Sequence, residues 1–445
     1  MWKKIGKRPR LALVLALAMA AAIGVLWQKL REPPPQIITL PTGEQFRFAG
    51  VTWGTNHVFG SMAARLVNQI PLAQASFVRT HAGKLLGQIS SSRTTEPSLC
   101  VWFQALGTNA PLAGPSSPTF IFAKLVDEHG VEAGTREVTM NPSGVCSFGC
   151  FPAVPRRSPV LQLRLYQADV QQRVTGEIGR VKFPNPLYGR FPQWKQEPVP
   201  ATKMAGDLEV RLENLTTHIV ENGGQTGIFQ PSHGGEELRT AFEVALHSPR
   251  GTNEGWVIHS AQLSDATGNI LRDPFFGGPL NQRGNLTSIR GTLWPDEAAW
   301  RLKLELKRAT GYAPQELVTF KNVPVPKVGT TNSTPMTNMV GDVPVVLREL
   351  VRNPDNAINM MIGMFGGTRI RVELPTHPDG FALDFVEITT DTREKPVKYG
   401  ETWRSPFDRA VLLKSIPASV QTMDITWLVQ KTRSVEFLVK PPKPE

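Results

Sequence analysis

The sequence predicts a mostly β protein: a single N-terminal transmembrane helix followed by tandem antiparallel β-sandwich modules. Three observations predict it. First, apolar residues beyond position 36 recur with period two. Leu208, Val210 and Leu212 alternate with Glu209, Arg211 and Glu213, and Leu302, Leu304 and Leu306 with Lys303, Glu305 and Lys307. Such alternation belongs to strands with one face in a core and the other in water. Second, Gly and Pro number 38 each among 445 residues. That excess calls for many turns but stays short of low complexity. Third, one succession of strands, acidic turns and proline corners occurs three times, which marks a repeat architecture. The composition excludes a coiled coil, a collagen, a polytopic membrane protein and a small disulfide scaffold.

Residues 1–36 read as a basic head, a signal-anchor helix and a Pro-rich stalk. Lys3, Lys4, Lys7, Arg8 and Arg10 precede an uncharged run over residues 11–27, and Pro33, Pro34 and Pro35 follow it. At about 1.5 Å per residue such a run just spans a bilayer core. The positive-inside rule keeps the head cytoplasmic and exports the remainder. Small residues at Ala18, Ala20 and Ala22 also fit a cleavage site, so a cleaved, secreted chain is the alternative. No cysteine lies near the run, which excludes bacterial lipidation.

The net charge of +11 comes from 49 basic and 38 acidic residues. Seven of the basic residues lie in 1–31, leaving 42 against 38, or +4. An exported +4 portion without a basic stripe gives no footing for nucleic acid.

Residues 37–186 form the expected first module. Phe120 to Val126 make a strand ending at Asp127, with Gly130 three residues on. A D-x-x-G step suits a hairpin, because Asp bonds its own backbone and Gly takes positive φ. Phe151-Pro152 makes a corner, residues 160–167 a long alternating strand, and Val181 to Pro184 a closing strand. Residues 187–206, Pro-rich and without alternation, read as a linker. The second module, 207–325, repeats the order: a strand to Asp265 and Gly268, the corner Trp294-Pro295, a long strand over 300–308, and a closing strand from Val318 to Pro324. Residues 326–341 read as a flexible second linker. The third module, 342–445, repeats it again through Asp391, Ile416-Pro417, a long strand over 423–431 and a closing strand from Val435 to Pro441. Helix is expected only at Ser61–Gln69 and Val345–Val351.

The order of strands resembles immunoglobulin-like and fibronectin-like modules in architecture. The Cys-Trp-Cys arrangement of true immunoglobulin domains is absent.

Chemistry is sparse. The eight histidines show no metal-binding spacing, and His247 with His259 across a hairpin would still need a third ligand. Cys100, Cys146 and Cys150 are the only cysteines. In an oxidising compartment two would pair as a disulfide, with the partners left open. A zinc site of these three with His129 would need a coincidence of folding. Asp127, Glu128, Asp265, Asp384 and Asp391 offer too few oxygens per turn for calcium. No nucleophile, phosphate-loop or dinucleotide motif occurs. The expectation is therefore no catalytic residue, no metal and no cofactor. Loop aromatics Trp53, Trp194, Phe275 and Phe276 are the candidate ligand contacts, since exposed rings stack on sugars. Trp102, Trp256, Trp300 and Trp427 read as core.

The leading expectation is a non-catalytic, membrane-anchored envelope protein whose exported modules form a scaffold or interaction surface for other envelope components. A glycan-binding protein for wall or surface polysaccharide is the alternative, and an extracytoplasmic hydrolase stands third.

Overall fold

A computed structural model describes residues 36–39, 43, 45–59, 90–106, 120–140, 145–168, 174–221, 236–248, 251–252, 255–272, 286–332, 334–352, 367–376, 380–392, 396–405 and 407–441. These residues are mostly strand, in several antiparallel sheets, and contain no α-helix. No helix among them is long and apolar enough to cross a membrane. The anchor expected at 11–27 and the helix expected at Ser61–Gln69 lie outside the described residues, as do Phe275 and Phe276.

The first unit comprises β1 (Ile37–Thr39), β2 (Gln45–Phe59), β3 (Ser90–Leu106), β4 (Phe120–Val126), β5 (Glu132–Met140), β6 (Val145–Phe148), β7 (Val160–Ala168) and β8 (Val174–Pro184). They join in the order β1-β2-β3-β6-β5-β4-β7-β8. The second unit comprises β9 (Ala201–Ala205), β10 (Leu208–Glu221), β11 (Glu236–Ser248), β12 (Gly251–Thr252), β13 (Trp256–Asp265), β14 (Ile270–Arg272), β15 (Leu286–Arg290) and β16 (Trp300–Arg308). A 3-10 turn, Pro314–Glu316, leads to β17 (Leu317–Pro324). The third unit comprises β18 (Thr330–Asn332), β19 (Met336–Val340), β20 (Val343–Arg352), β21 (Thr368–Glu373), β22 (Phe381–Thr390), β23 (Val397–Ser405), β24 (Asp408–Ser415), β25 (Thr422–Lys431) and β26 (Arg433–Val439).

The same pairing skeleton occurs three times. One half contains β2-β3-β6, β10-β11-β15 or β20-β21-β24. The other half pairs β4 with β7, β13 with β16, and β22 with β25; in the first unit β5 joins the two halves into one continuous sheet. In each unit the strand before the acidic turn therefore lies beside the long alternating strand. The turns form as their residues require. Asp127 Oδ1 accepts hydrogen bonds from the amides of His129 and Val131, and Gly130 sits at φ +83°. Asp265 Oδ1 accepts from the amides of Thr267 and Asn269, with Gly268 at φ +91°. The third turn has no such glycine, and Asp391 instead accepts from the amides of Gln421 and Thr422. The corner residues Phe151, Trp294 and Ile416 are all buried.

The closing strands depart from the simple repeat. In the first unit β8 pairs with its own long strand, β7. In the other two the partners are exchanged: β26 pairs with β16, and β17 pairs with β25. The cause is chain length. Residues 169–173 connect β7 to β8, enough for a hairpin, whereas Thr432 alone connects β25 to β26. Even the tightest common hairpin needs about two loop residues. The last strand must therefore run on to another sheet, where it takes the edge of β16. That leaves the edge of β25 for β17.

The expected linkers carry structure. Residues 187–206 include β9, which pairs with β10, and residues 326–341 include β18 and β19, both paired with β20. The helix expected at Val345–Val351 is instead part of β20. A β-bulge between Leu347 and Glu349 explains the misleading spacing. It inserts one residue, so the inward series runs Val343, Val345, Leu347, Leu350, and its last step imitates a helical i, i+3. β10 has the same bulge between Leu212 and Asn214, with Leu208, Val210, Leu212 and Leu215 inward.

Two cores result. One runs through the first and second units and includes Val435, Phe437 and Val439 of β26. The other fills the third unit and includes Val318, Phe320 and Val323 of β17.

Candidate functional site

Two clusters of polar side chains are buried. The first lies where β2 and β3 separate around a large bulge. Gly54 pairs with Ser98 but Asn56 pairs with Arg93, so residues 94–97 loop out of register. The bulge brings the Thr94 and Ser98 hydroxyls over His57, which is fully buried. His57 Nδ1 lies 2.9 Å from Thr52 Oγ1, and Nε2 lies 3.3 Å from Ser98 Oγ and 3.5 Å from Thr94 Oγ1. Thr52 Oγ1 also accepts from Trp102 Nε1 at 2.8 Å. Burial lowers the His57 pKa, so its ring is neutral.

Cys100 and Cys150 face this imidazole. Leu99 and Phe151 exchange both backbone hydrogen bonds, at 2.9 and 2.8 Å. Cys100 and Cys150 are therefore the next, non-hydrogen-bonded pair of an antiparallel bridge. Cα atoms at such positions are about 4.5 Å apart, within the disulfide range. A hydrogen bond with Cys150, together with burial, pushes the Cys100 thiol far above its ordinary pKa. This is the reverse of what a nucleophilic cysteine needs. One ligand atom each from His57, Cys100 and Cys150 all lie within 4.8 Å of one another. Ala49, Phe59 and Trp102 close the site on its apolar side.

Of the sequence candidates, Cys100 and Cys150 meet, whereas the Cys146 side chain lies outside the described residues. His129, the histidine considered with the cysteines, is on the exposed Asp127 turn beside Glu128. His57 replaces it, and no local motif announced that. Only the register of β2 on β3 brings His57 near Cys100.

The second cluster lies at the strand exchange. Asp384 of β22 receives Lys307 Nζ of β16 at 2.7 Å and Arg409 Nη1 of β24 at 2.6 Å. Burial disfavours the Asp384 carboxylate, but Arg409 and Lys307 outweigh it and hold its pKa below the usual range. His259 is the extra residue of the bulge between Ile258 and Ser260 in β13. Burial, then the Lys307 charge, pushes its pKa down to about 3. Gln430 of β25 caps the seam, accepting from the Arg308 amide at 3.0 Å and donating to the Arg308 carbonyl at 2.8 Å. His247 belongs to β11, in a different sheet from His259.

Of the candidate ligand-contact aromatics, Trp53 lies in β2 and Trp194 outside any strand, and both are half-buried. Arg156 lies 4.7 Å from the ring centre of Trp53, and Arg301 lies 4.4 Å from that of Trp194. Trp102, Trp294, Trp300 and Trp427 are buried, and Trp53, Trp194 and Trp256 are half-buried. The acidic residue Asp265 bonds its own turn, and Asp384 is neutralised by two cations.

No family model and no curated protein matches the chain. Among solved structures, a DUF4785 family protein from Legionella pneumophila aligns over 92% of this chain and 88% of that one, at 9% identity and a TM-score of 0.13. A likeness at that level carries no argument about fold or function.

Proposed function

We propose that the chain is a non-catalytic, membrane-anchored envelope protein whose tandem immunoglobulin-like β-units form a rigid scaffold for other envelope components. Residues 11–27 hold it to the membrane with the basic head inside. One observation carries the reading: the second and third units are joined by exchanged strands, β26 on β16 and β17 on β25. Hydrogen-bonded strand pairs and a buried ion cluster resist hinge motion. A spacer or assembly platform needs that stiffness, whereas a cleft enzyme commonly closes about a hinge.

The first and second units are joined as firmly. Asn269 donates to the Val154 carbonyl at 2.8 Å and accepts from its amide at 3.0 Å. Arg157 reaches Glu297 in a fork at 2.9 and 3.1 Å. The glycan-binding alternative draws no support from Trp53 or Trp194, each of which carries a guanidinium over its ring.

The test is crosslinking in cells of the tagged, full-length protein, followed by membrane fractionation and mass spectrometry. The expected result is a membrane-bound chain with a recurring protein partner. A soluble chain that co-purifies with polysaccharide and no protein would overturn the reading.

A further inference from the structure

We propose that His57, Cys100 and Cys150 form a binding site for a thiophilic d10 cation, with Zn²⁺ as the ion to test. The inference rests on the convergence of three donors, and under the export reading it requires that the ion hold the two thiols against pairing as a disulfide.

The donor set is of the right kind. Two sulfurs and one imidazole nitrogen are soft to borderline ligands, which favour Zn²⁺ or Cu⁺ over Mg²⁺ and Ca²⁺. The distances are of the right size. Zn–S bonds of about 2.3 Å and Zn–N bonds of about 2.0 Å place tetrahedral donors roughly 3.5–3.8 Å apart. The three ligand atoms already lie within 4.8 Å of one another. Contraction by about 1 Å falls within side-chain rotation about χ1, without backbone movement.

The surroundings also match. A metal-bound histidine donates its other ring N–H to an oriented acceptor. Thr52 Oγ1 is such an acceptor, 2.9 Å from Nδ1 and itself fixed by the indole N–H of Trp102. With Nδ1 as the donor, Nε2 presents its lone pair; its contacts to Ser98 and Thr94 are long, at 3.3 and 3.5 Å, and the bond the ring makes to the Gly54 backbone is one that metal binding would have to leave or replace.

A divalent cation favours the thiolate form of both cysteines. Both thiols ionise, two protons leave to solvent, and the net charge of ion plus thiolates is zero in a buried place. Cys150 is only half-buried, which gives the ion a way in.

The full chain is purified under reducing conditions, and the reductant is removed without oxygen. Zn²⁺ is titrated calorimetrically, and Co²⁺ is used as a spectroscopic substitute. The expected result is one ion per chain, release of protons, and a cobalt spectrum with thiolate charge-transfer absorption. Cys100→Ser, Cys150→Ser and His57→Gln should each weaken binding by more than the roughly 10–100-fold typical of losing an outer-shell partner. The wild-type cobalt spectrum decides the matter even if a variant fails to fold. A reduced chain that binds no Zn²⁺, or binds Co²⁺ without thiolate absorption, overturns the proposal. So does a Cys100–Cys150 disulfide that forms equally fast with Zn²⁺ present.

Discussion

Asp384 shows how one side chain can hold a seam together. It is the counter-charge for both Lys307 and Arg409, which come from different sheets. Asp384→Asn keeps the shape but removes a counter-charge shared by the buried Arg409 and the half-buried Lys307. Removing one partner of such a cluster costs about 3–5 kcal/mol. Denaturant unfolding should show a lower midpoint with little change in slope, and adding Lys307→Met should recover part of the loss.

His259 makes a separate prediction at the same scale. Its folded pKa is about 3, against an ordinary 6.5. Between those values the unfolded chain binds a proton that the folded chain refuses. Stability is therefore full above the unfolded pKa and falls as pH drops through that window, by at most about 1.4 kcal/mol per pH unit from this group. His57, with its pKa also lowered by burial, contributes in the same direction. Unfolding measured from pH 7 to pH 4 should show the decline, and His259→Gln should flatten it. An unchanged slope in that variant would show that His259 is not responsible.

At the scale of the element, the two D-x-x-G turns have the same sequence logic but different surroundings. The Asp265 side chain accepts from the amides of Thr267 and Asn269, from the Thr267 hydroxyl and from the Asn269 side chain. The turn is also docked: Arg156 of the first unit donates to the carbonyls of Thr267 and Gly268. Asp127 accepts from two amides of its own turn, and its carboxyl also meets that of Asp296, a like-charge contact rather than a donor. Asp265→Ala should therefore cost about 3 kcal/mol and Asp127→Ala about 1, since orphaned buried donors are what make such losses large. The melting temperatures of the two variants test the ranking. Gly268→Ala should also destabilise, because its φ is +91° and a Cβ would meet Arg156 Nη1 at 3.2 Å.

At the scale of the whole molecule, the exchanged strands make the last residues of the chain part of the second unit. β26 covers an edge of β16 and adds Val435, Phe437 and Val439 to the first core. A chain ending at Thr432 should therefore loosen the second unit more than the third. Hydrogen exchange should show the largest gain in β13 and β16, while β22 and β25, still covered by β17, stay protected. The opposite pattern would mean that β26 supports the unit it follows in sequence.

The period-two alternation, the acidic turns and the buried proline corners were all legible in the sequence, because each depends on neighbours a few residues away. Leu302, Leu304 and Leu306 point inward whatever sheet receives them. One local signal went unread. Met204, Gly206, Asp207, Val210, Leu212 and Leu215 recur as Met339, Gly341, Asp342, Val345, Leu347 and Leu350, and both segments form a Gly-Asp hairpin followed by the same bulge. The bulge hid the strand in β20 by breaking its alternation. The exchange of β17 and β26 was half legible, in the single residue Thr432 that precludes a hairpin. Its destination was not, because an open sheet edge accepts any strand of suitable pattern. The meeting of His57 with Cys100 and Cys150, and of Asp384 with Lys307, belonged to the tertiary structure alone. Residues far apart in sequence meet only through strand register, and no local chemistry sets the register between distant strands.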